Sequence, residues 1–323
     1  MRRREFIGVL GLTSAWPLAV VAQPKIARVG WLTTAPAVEV SPFLEAFRAG
    51  LAERGYVESR NLRIAARYAD GDVDRVPVLA EELADLKVDV IATQGTATRL
   101  LRAVSARVPV AYVFSADPVM AGIADTLARP GRNMTGISVM SVELNGKRIE
   151  LLREIAPKVE RIAIIASPIH AGEELERNNS VEMAHKLGIK VDYFPTPSPA
   201  DLRRAYDAIA SDPPQAIVLF PDPVTFANRE QITAFASRLR IPVVSGWADF
   251  ADVGALCTYG PKLAESYKRL AYYAERILHG TKAAELPIER PTAFELVINL
   301  KTAKALGIDV PPAIIGRADR VIE

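Results

Sequence analysis

From Ile26 onward, short runs rich in valine and isoleucine alternate with longer stretches whose apolar residues recur every three or four positions. The first half reads as strand "IARVGWLTT", helix "SPFLEAFRAGLAERG", strand "LRIAARY", helix "RVPVLAEELADL", strand "VDVIATQ", helix "TATRLLRAVSA" and strand "VPVAYVFS". Near Arg161 the order begins again with "RIAIIAS", "GEELERNNSVEMAHKLG", "IKVDYF", "SPADLRRAYDAIAS", "QAIVLF", "TFANREQITAFASRL" and "IPVVSGW". Continuous apolar strands separated by amphipathic helices indicate parallel sheets covered on both faces. The pattern therefore predicts two doubly wound α/β lobes.

Local signals agree with the period. Ser41-Pro42 and Ser198-Pro199 each place a hydroxyl cap before a proline at the first helical position, and Asp201 falls where a capping-box acid would sit. After the second set, "PKLAESYKRLAYYAERILHG" puts Leu263, Tyr267, Leu270, Ala274 and Ile277 on one face, which predicts a long docking helix ended by Gly280. The tail "LPIERPTAFELVINLKTAKALGIDVPP" adds an extended piece and a short helix. It has no Gly/Ser linker, so it is expected to pack on the lobes.

Composition removes several function classes. Lys and Arg number 40 against 38 Asp and Glu; the first 22 residues hold three of the former and one of the latter, which leaves the rest balanced at 37 of each. A balanced chain offers no polybasic footprint for nucleic acid. One cysteine, Cys257, excludes an intrachain disulfide framework and a cysteine-based metal site. His170, His185 and His279 form no metal-ligand spacing, so neither metal nor cofactor is expected.

The start "MRRREFIGVLGLTSAWPLAVVAQ" has a basic head, an apolar run and small residues near Ala22, the layout of a secretory signal peptide over residues 1–22. Arg3-Arg4-Glu5-Phe6-Ile7 resembles a twin-arginine export motif, although Arg2 and Gly8 depart from its usual flanks. A membrane anchor is the competing reading. Pro17 interrupts the segment, and a span needs about 20 mostly apolar residues. The mature chain is expected to begin near Gln23, outside the cytoplasm and without a transmembrane span.

In open α/β sheets, ligands bind beyond the carboxyl ends of the strands, where helix N-termini converge. Those ends are Thr33-Thr34, Thr93-Gln94-Gly95-Thr96, Ser115-Ala116-Asp117, Ser167-Pro168, Phe220-Pro221-Asp222 and Ser245-Gly246-Trp247-Ala248-Asp249. With aromatic neighbours Trp31, Phe114, Phe220 and Trp247, the set suits a small organic ligand with polar groups and an apolar body. Each has a plainer reading: Thr96 as a helix cap, Asp117-Pro118 and Asp222-Pro223 as turns, Trp247 as core, Asp249 as a cap. His170, just beyond Ser167, reads as an exposed loop residue.

Enzyme signatures are missing. There is no GxGxxG after the first strand, no GxxxxGK[ST] and no GxSxG elbow, so no catalytic residue is assigned. Two similar lobes outside the cytoplasm suggest a clamp in which ligand binding drives closure about a hinge.

The ending "FELVINLKTAKALGIDVPP", the stretch "LARPGRNMTGIS", the segment "FSADPV" and the opening "RREFIGVLG" resemble the ABC-transporter substrate-binding protein family whose better-known members bind tryptophan or tyrosine. The resemblance covers nearly the whole chain. It implies a type I periplasmic-binding-protein fold, with lobe 1 over 26–136 plus 254–286 and lobe 2 over 137–253 plus 287–323. Hinge strands are implied near Gly136–Val142, Gly254–Tyr259 and Pro287–Leu296. Carried over by position, the pocket falls on Thr33, Thr34, Gln94, Gly95, Thr96, Ser115 and Asp117, faced by Ser167, Asp222, Trp247, Asp249 and Tyr259.

The same resemblance implies a monomer in the periplasm that delivers an amino acid, aromatic or amide-like solute to an ABC permease and its ATPase. In this reading the N–H groups and hydroxyls near Gly95-Thr96 take a carboxylate or carbonyl, and Asp222 or Asp117 takes an amine. A periplasmic sensory subunit and a secreted α/β enzyme are the alternatives.

Overall fold

The computed structural model describes residues 26–37, 41–139, 141–170, 172–220 and 222–323. The expected signal peptide lies outside the described residues. Strands β1 (Ala27–Thr33), β2 (Leu62–Tyr68), β3 (Val90–Gln94), β4 (Val110–Phe114) and β5 (Met134–Ser138) form one parallel sheet in the order β2-β1-β3-β4-β5. The second sheet holds β6 (Arg161–Ala166), β7 (Lys190–Pro195), β8 (Ala216–Leu219), β9 (Val243–Ser245), β10 (Cys257–Pro261), β11 (Phe294–Asn299) and β12 (Arg320–Ile322). Its order is β12-β11-β10-β9-β8-β6-β7, parallel except between β10 and β11.

The twice-repeated plan is thus two doubly wound lobes. In the first, the helices Pro42–Glu53 and Leu263–Leu278 cover one face of the sheet, burying Trp31, Phe47, Leu51, Leu270 and Tyr273 together. Burial of each such large side chain is worth roughly 1.5–3 kcal/mol. Gly50 sets how closely those helices approach, because a Cβ there would lie 2.8 Å from the Ala271 Cβ and from the Lys268 backbone. The helix Arg75–Asp85 covers the opposite face through Leu79 and Leu83.

The lobes are joined by three passages. Strand β5 leads into the second lobe through Val139, Pro261 of β10 leads back to the first-lobe helix at Leu263, and the third passage returns along 286–294. The last runs beside the first, since Glu289 bridges Ile137 and its carbonyl accepts from Ser138 N–H at 2.9 Å. Arg269 secures this strand with two hydrogen bonds to the Glu289 carboxylate at 2.8 and 2.7 Å, which hold that carboxyl below its ordinary range.

The caps form as the sequence predicts: the Ser41 and Ser198 hydroxyls accept from Leu44 and Asp201 N–H, each at 3.4 Å. Four features differ from the sequence reading. The segment 96–106 is a short helix, Ala97–Leu100, and a separate 3-10 turn, Val104–Ala106. There the Ser105 hydroxyl bonds back to the Arg102 carbonyl at 2.7 Å, competing with a continuous helix. The segment 225–239 divides at Asn228 into Pro223–Ala227 and Arg229–Arg238. A helix over Ser141–Ile155 was not anticipated, because the buried positions Asn145 and Arg148 interrupt its apolar stripe. Finally, 257–261, expected with the first lobe, runs as β10 within the second sheet because it pairs there with both β9 and β11.

Candidate functional site

Each sheet has one point where the strand order reverses, between β1 and β3 in the first and between β6 and β8 in the second. At such points the connections on either side leave toward opposite faces of the sheet, which opens a crevice. The two crevices face each other and enclose a cavity of about 520 Å³. Thr33, Gln94, Gly95 and Ser115 come to it from strand ends of the first lobe, and Asp222, Trp247 and Asp249 from strand ends of the second.

The other expected site residues lie off the cavity. Thr34 is buried, with its carbonyl accepting from Gly71 N–H at 2.7 Å. Thr96 is buried at the start of the short helix and makes no side-chain cap bond. The Asp117 Oδ1 accepts from the N–H groups of Val119 and Met120 at 2.7 and 3.1 Å, the turn reading of Asp-Pro. Ser167 is buried and its carbonyl accepts from His170 N–H. Tyr259 stacks on Phe294 at 6.3 Å and offers its carbonyl to Arg148 Nε at 2.8 Å. Of the four aromatic neighbours only Trp247 reaches the cavity; Trp31, Phe114 and Phe220 are core residues.

Further lining residues escaped the strand-end reading, among them Phe43, Tyr68, Phe226, Arg229 and Tyr267. Tyr68 ends β2, a strand end left out of the sequence reading, and the others sit on helices facing the cleft; for Tyr267 the helical period gave its buried face but not what lay opposite. Phe43 is central. Its ring stacks on Tyr267 (centroids 4.7 Å apart, planes at 24°) and meets Phe226 and Trp247 of the other lobe at 5.4 and 5.7 Å. Such pairs contribute about 0.5–1.5 kcal/mol each beyond area burial, so this cluster holds the lobes together.

The first-lobe wall is a hydrogen-bonded chain. The Tyr267 hydroxyl donates to Gln94 Oε1, Gln94 Nε2 donates to Thr33 Oγ1 at 3.0 Å, and Thr33 Oγ1 also accepts from Ala35 N–H at 3.1 Å. Gln94 is fixed as donor toward Thr33, and the Thr33 hydroxyl proton is left for another acceptor.

The second-lobe wall is ionic. His170, expected exposed, is 8% exposed. Gly172 is left-handed (φ 103°) and lies so close to the first lobe that a Cβ on it would be 2.5 Å from the Ala116 Cβ. His170 Nε2 lies 3.0 Å from Glu176 Oε1, and its Nδ1 faces the Ser115 hydroxyl across the cleft at 3.5 Å. Behind it, Asn145 Nδ2 donates to Glu176 Oε2 at 2.9 Å and Arg148 donates to Asn145 Oδ1. Burial pulls the Arg148 pKa down to about 10, against the pull of Glu176.

Asp222 is 3% exposed. Its Oδ1 caps the helix Pro223–Ala227, accepting from Val224 and Thr225 N–H at 2.6 and 3.1 Å, while Thr225 Oγ1 accepts from Asp222 N–H. Both readings of Asp-Pro therefore hold at this position: a cap, and a cavity wall. The second oxygen, Oδ2, has no hydrogen-bond partner. Burial pushes its carboxyl up to about 6, opposed by the Thr225 N–H, His170, the Val224 N–H and the Ser167 N–H, the last of which approaches without reaching hydrogen-bond geometry. Arg229 also lines the cavity; its guanidinium donates to the Phe226 carbonyl at 2.9 Å and lies 4.5 Å over that ring, with no carboxylate paired to it among the described residues. A buried acceptor without a donor at one place and a cation without an anion at another suit a ligand carrying both charges. Among the described residues no group of three or more His, Cys, Asp or Glu side chains is placed to hold a metal, and no helix is long and apolar enough to cross a membrane.

Residues 40–322 match the family described as ABC transporter substrate binding protein. A tyrosine-binding protein of Clostridioides difficile (strain R20291) is 23% identical over 268 residues, 80% of this chain and 75% of its own length. A conserved domain protein from Vibrio cholerae superposes with a TM-score of 0.82 at 28% identity, over 92% of this chain and 100% of that one. An ABC domain in complex with L-Trp from Streptococcus pneumoniae gives 0.84 at 23% identity, over 92% and 99%.

Proposed function

The chain belongs to the ABC transporter substrate binding protein family, and from that membership we propose that it captures a small zwitterionic solute between its lobes and delivers it to an ABC import permease. The observation that carries the choice of solute is the orphaned Oδ2 of Asp222, buried in the cavity wall. A buried carboxylate oxygen without a donor is costly, and a ligand ammonium would satisfy it. Arg229 and the Thr33 hydroxyl are the groups suited to the ligand carboxylate, Gly95 lines the same cavity, and Phe43, Phe226 and Trp247 flank an apolar or aromatic body. The tyrosine and tryptophan named for two similar proteins favour an aromatic amino acid.

In this reading the protein works in the periplasm, exported by the signal over residues 1–22, and acts as a binder rather than an enzyme. Closure brings Phe43 against Phe226 and Trp247 and presents the two lobes in one arrangement for a permease to read. Thermal shift against a panel of amino acids, amines and neutral sugars tests it. A ligand at about 100 times its dissociation constant adds roughly 2.7 kcal/mol of stability. An aromatic amino acid should raise the melting temperature and be recovered unchanged. A response to sugars alone would refute the zwitterion reading, and turnover of the bound compound would refute the binder.

A further inference from the structure

The second-lobe wall carries more buried charge than one ligand contact needs. Three carboxylates, Glu173, Glu176 and Asp222, are 5%, 1% and 3% exposed. Three cations stand against them. Arg177 Nε lies 3.2 Å from Glu173 Oε1 and its guanidinium covers the Tyr193 ring at 5.0 Å. Arg148 acts on Glu176 and is linked to it through Asn145. His170 pairs with Glu176 at 3.0 Å and acts electrostatically on Asp222 as well. The Tyr193 hydroxyl, buried without a partner, faces Glu173 and Asp222 and adds no charge. The group is balanced when His170 is an imidazolium. A ligand ammonium would add one positive charge too many.

We propose that His170 is the resting counter-ion of the Glu173, Glu176 and Asp222 wall and that the ammonium of the ligand, on Asp222, replaces it, so that ligand binding at neutral pH expels the His170 proton. The inference rests on the reading of Asp222 as the ammonium site. Two cations in one low-dielectric wall repel strongly, and the one able to lose its charge is the imidazolium. Burial alone would lower the His170 pKa, but Glu176, Asp222 and Glu173 together outweigh it and raise it above its ordinary value. Deprotonation leaves its contacts in place. Neutral His170 still donates from Nε2 to Glu176, and its Nδ1 becomes an acceptor facing the Ser115 hydroxyl. The first-lobe contact thus survives the exchange. The device also selects: an amine can displace the proton, whereas a neutral sugar leaves it in place.

The test is calorimetric titration of L-tryptophan and L-tyrosine at neutral pH in buffers of different ionisation enthalpy. Release approaching about one proton per ligand bound is expected, falling to near zero per ligand bound in His170→Gln. Tight binding with no proton release in the natural protein would overturn the inference and leave the ammonium site standing. NMR titration of the His170 ring in the ligand-free protein gives an independent reading. The ring should titrate at lower pH in Asp222→Asn than in the natural protein, and an unchanged titration would overturn the inference whatever the ligand.

Discussion

Phe43 and Trp247 meet edge to face across the cleft, with ring centroids 5.7 Å apart and planes at 79°. Phe43 belongs to the first-lobe helix and Trp247 to the end of a second-lobe strand, so the contact exists only when the lobes are together. Phe43 is backed by Tyr267 and extended to Phe226. Closure and ligand enclosure therefore share one ring.

Replacing Phe43 by alanine should weaken binding of the best ligand by about 1–3 kcal/mol, the sum of its two cross-lobe ring pairs. Global stability should change less, because Phe43 is half-buried while Phe47 one turn on is fully buried in the helix interface. Calorimetry gives the first quantity and urea denaturation the second. Equal affinity in the variant would remove Phe43 from the closure mechanism.

Asp222→Asn keeps an oxygen to accept from Val224 and Thr225 N–H while removing the charge. Affinity for an amino acid should fall by about 2–5 kcal/mol, the usual cost of truncating a buried charge pair, with the helix cap intact. The pH dependence follows from the carboxyl titrating near 6 in the folded protein, above its ordinary 3.8. The folded state then holds this proton more tightly than the unfolded chain does. Its contribution to stability is fully present below about 3.8 and lost as pH rises through about 6. The ligand-free natural protein should therefore gain stability relative to Asp222→Asn on going from pH 7 to pH 4; a difference that stays flat with pH would refute the shifted carboxyl.

Much of the fold was legible because period and capping agree in it. The strands β1 to β4 and β6 to β9 lie where apolar runs placed them, and Ser41 and Ser198 cap as their proline neighbours predict. The strand-end rule found Thr33, Gln94, Gly95, Ser115, Asp222, Trp247 and Asp249 at the cavity. It could not separate them from Thr34, Thr96 and Asp117, which share those strand ends but turn into the backbone or core. Phe43, Phe226 and Arg229 were invisible because their role comes from which helix start faces which lobe, a property of docking rather than of local sequence. His170 was misread because burial of a loop residue has no periodic signal.

Gly50→Ala tests the helix pair that carries Phe43 and Tyr267. Its Cβ would lie 2.8 Å from both the Ala271 Cβ and the Lys268 backbone, with no flexible side-chain end to yield. The helix gains propensity from alanine, about 1 kcal/mol, but overpacking costs typically 1–3 kcal/mol. Net destabilisation is expected, together with weaker ligand binding as the helices part and Phe43 shifts. Increased stability in urea would show that the helices can separate freely.

Gln94 joins Tyr267 to Thr33, and a double-mutant cycle shows whether that chain is made in solution. Gln94→Leu alone strands the buried Tyr267 hydroxyl, whose ionisation burial already opposes strongly. An orphaned buried donor costs about 1–3 kcal/mol, whereas replacing both partners by apolar groups is close to neutral. Tyr267→Phe should therefore cost less when Gln94 is already leucine than when it is not. The coupling should be about 0.5–3 kcal/mol by urea denaturation, and the part of the Gln94→Leu penalty that remains would belong to Thr33. Strictly additive losses would mean that Tyr267 finds another acceptor, and that the first-lobe wall is held by packing against Phe43 rather than by this chain.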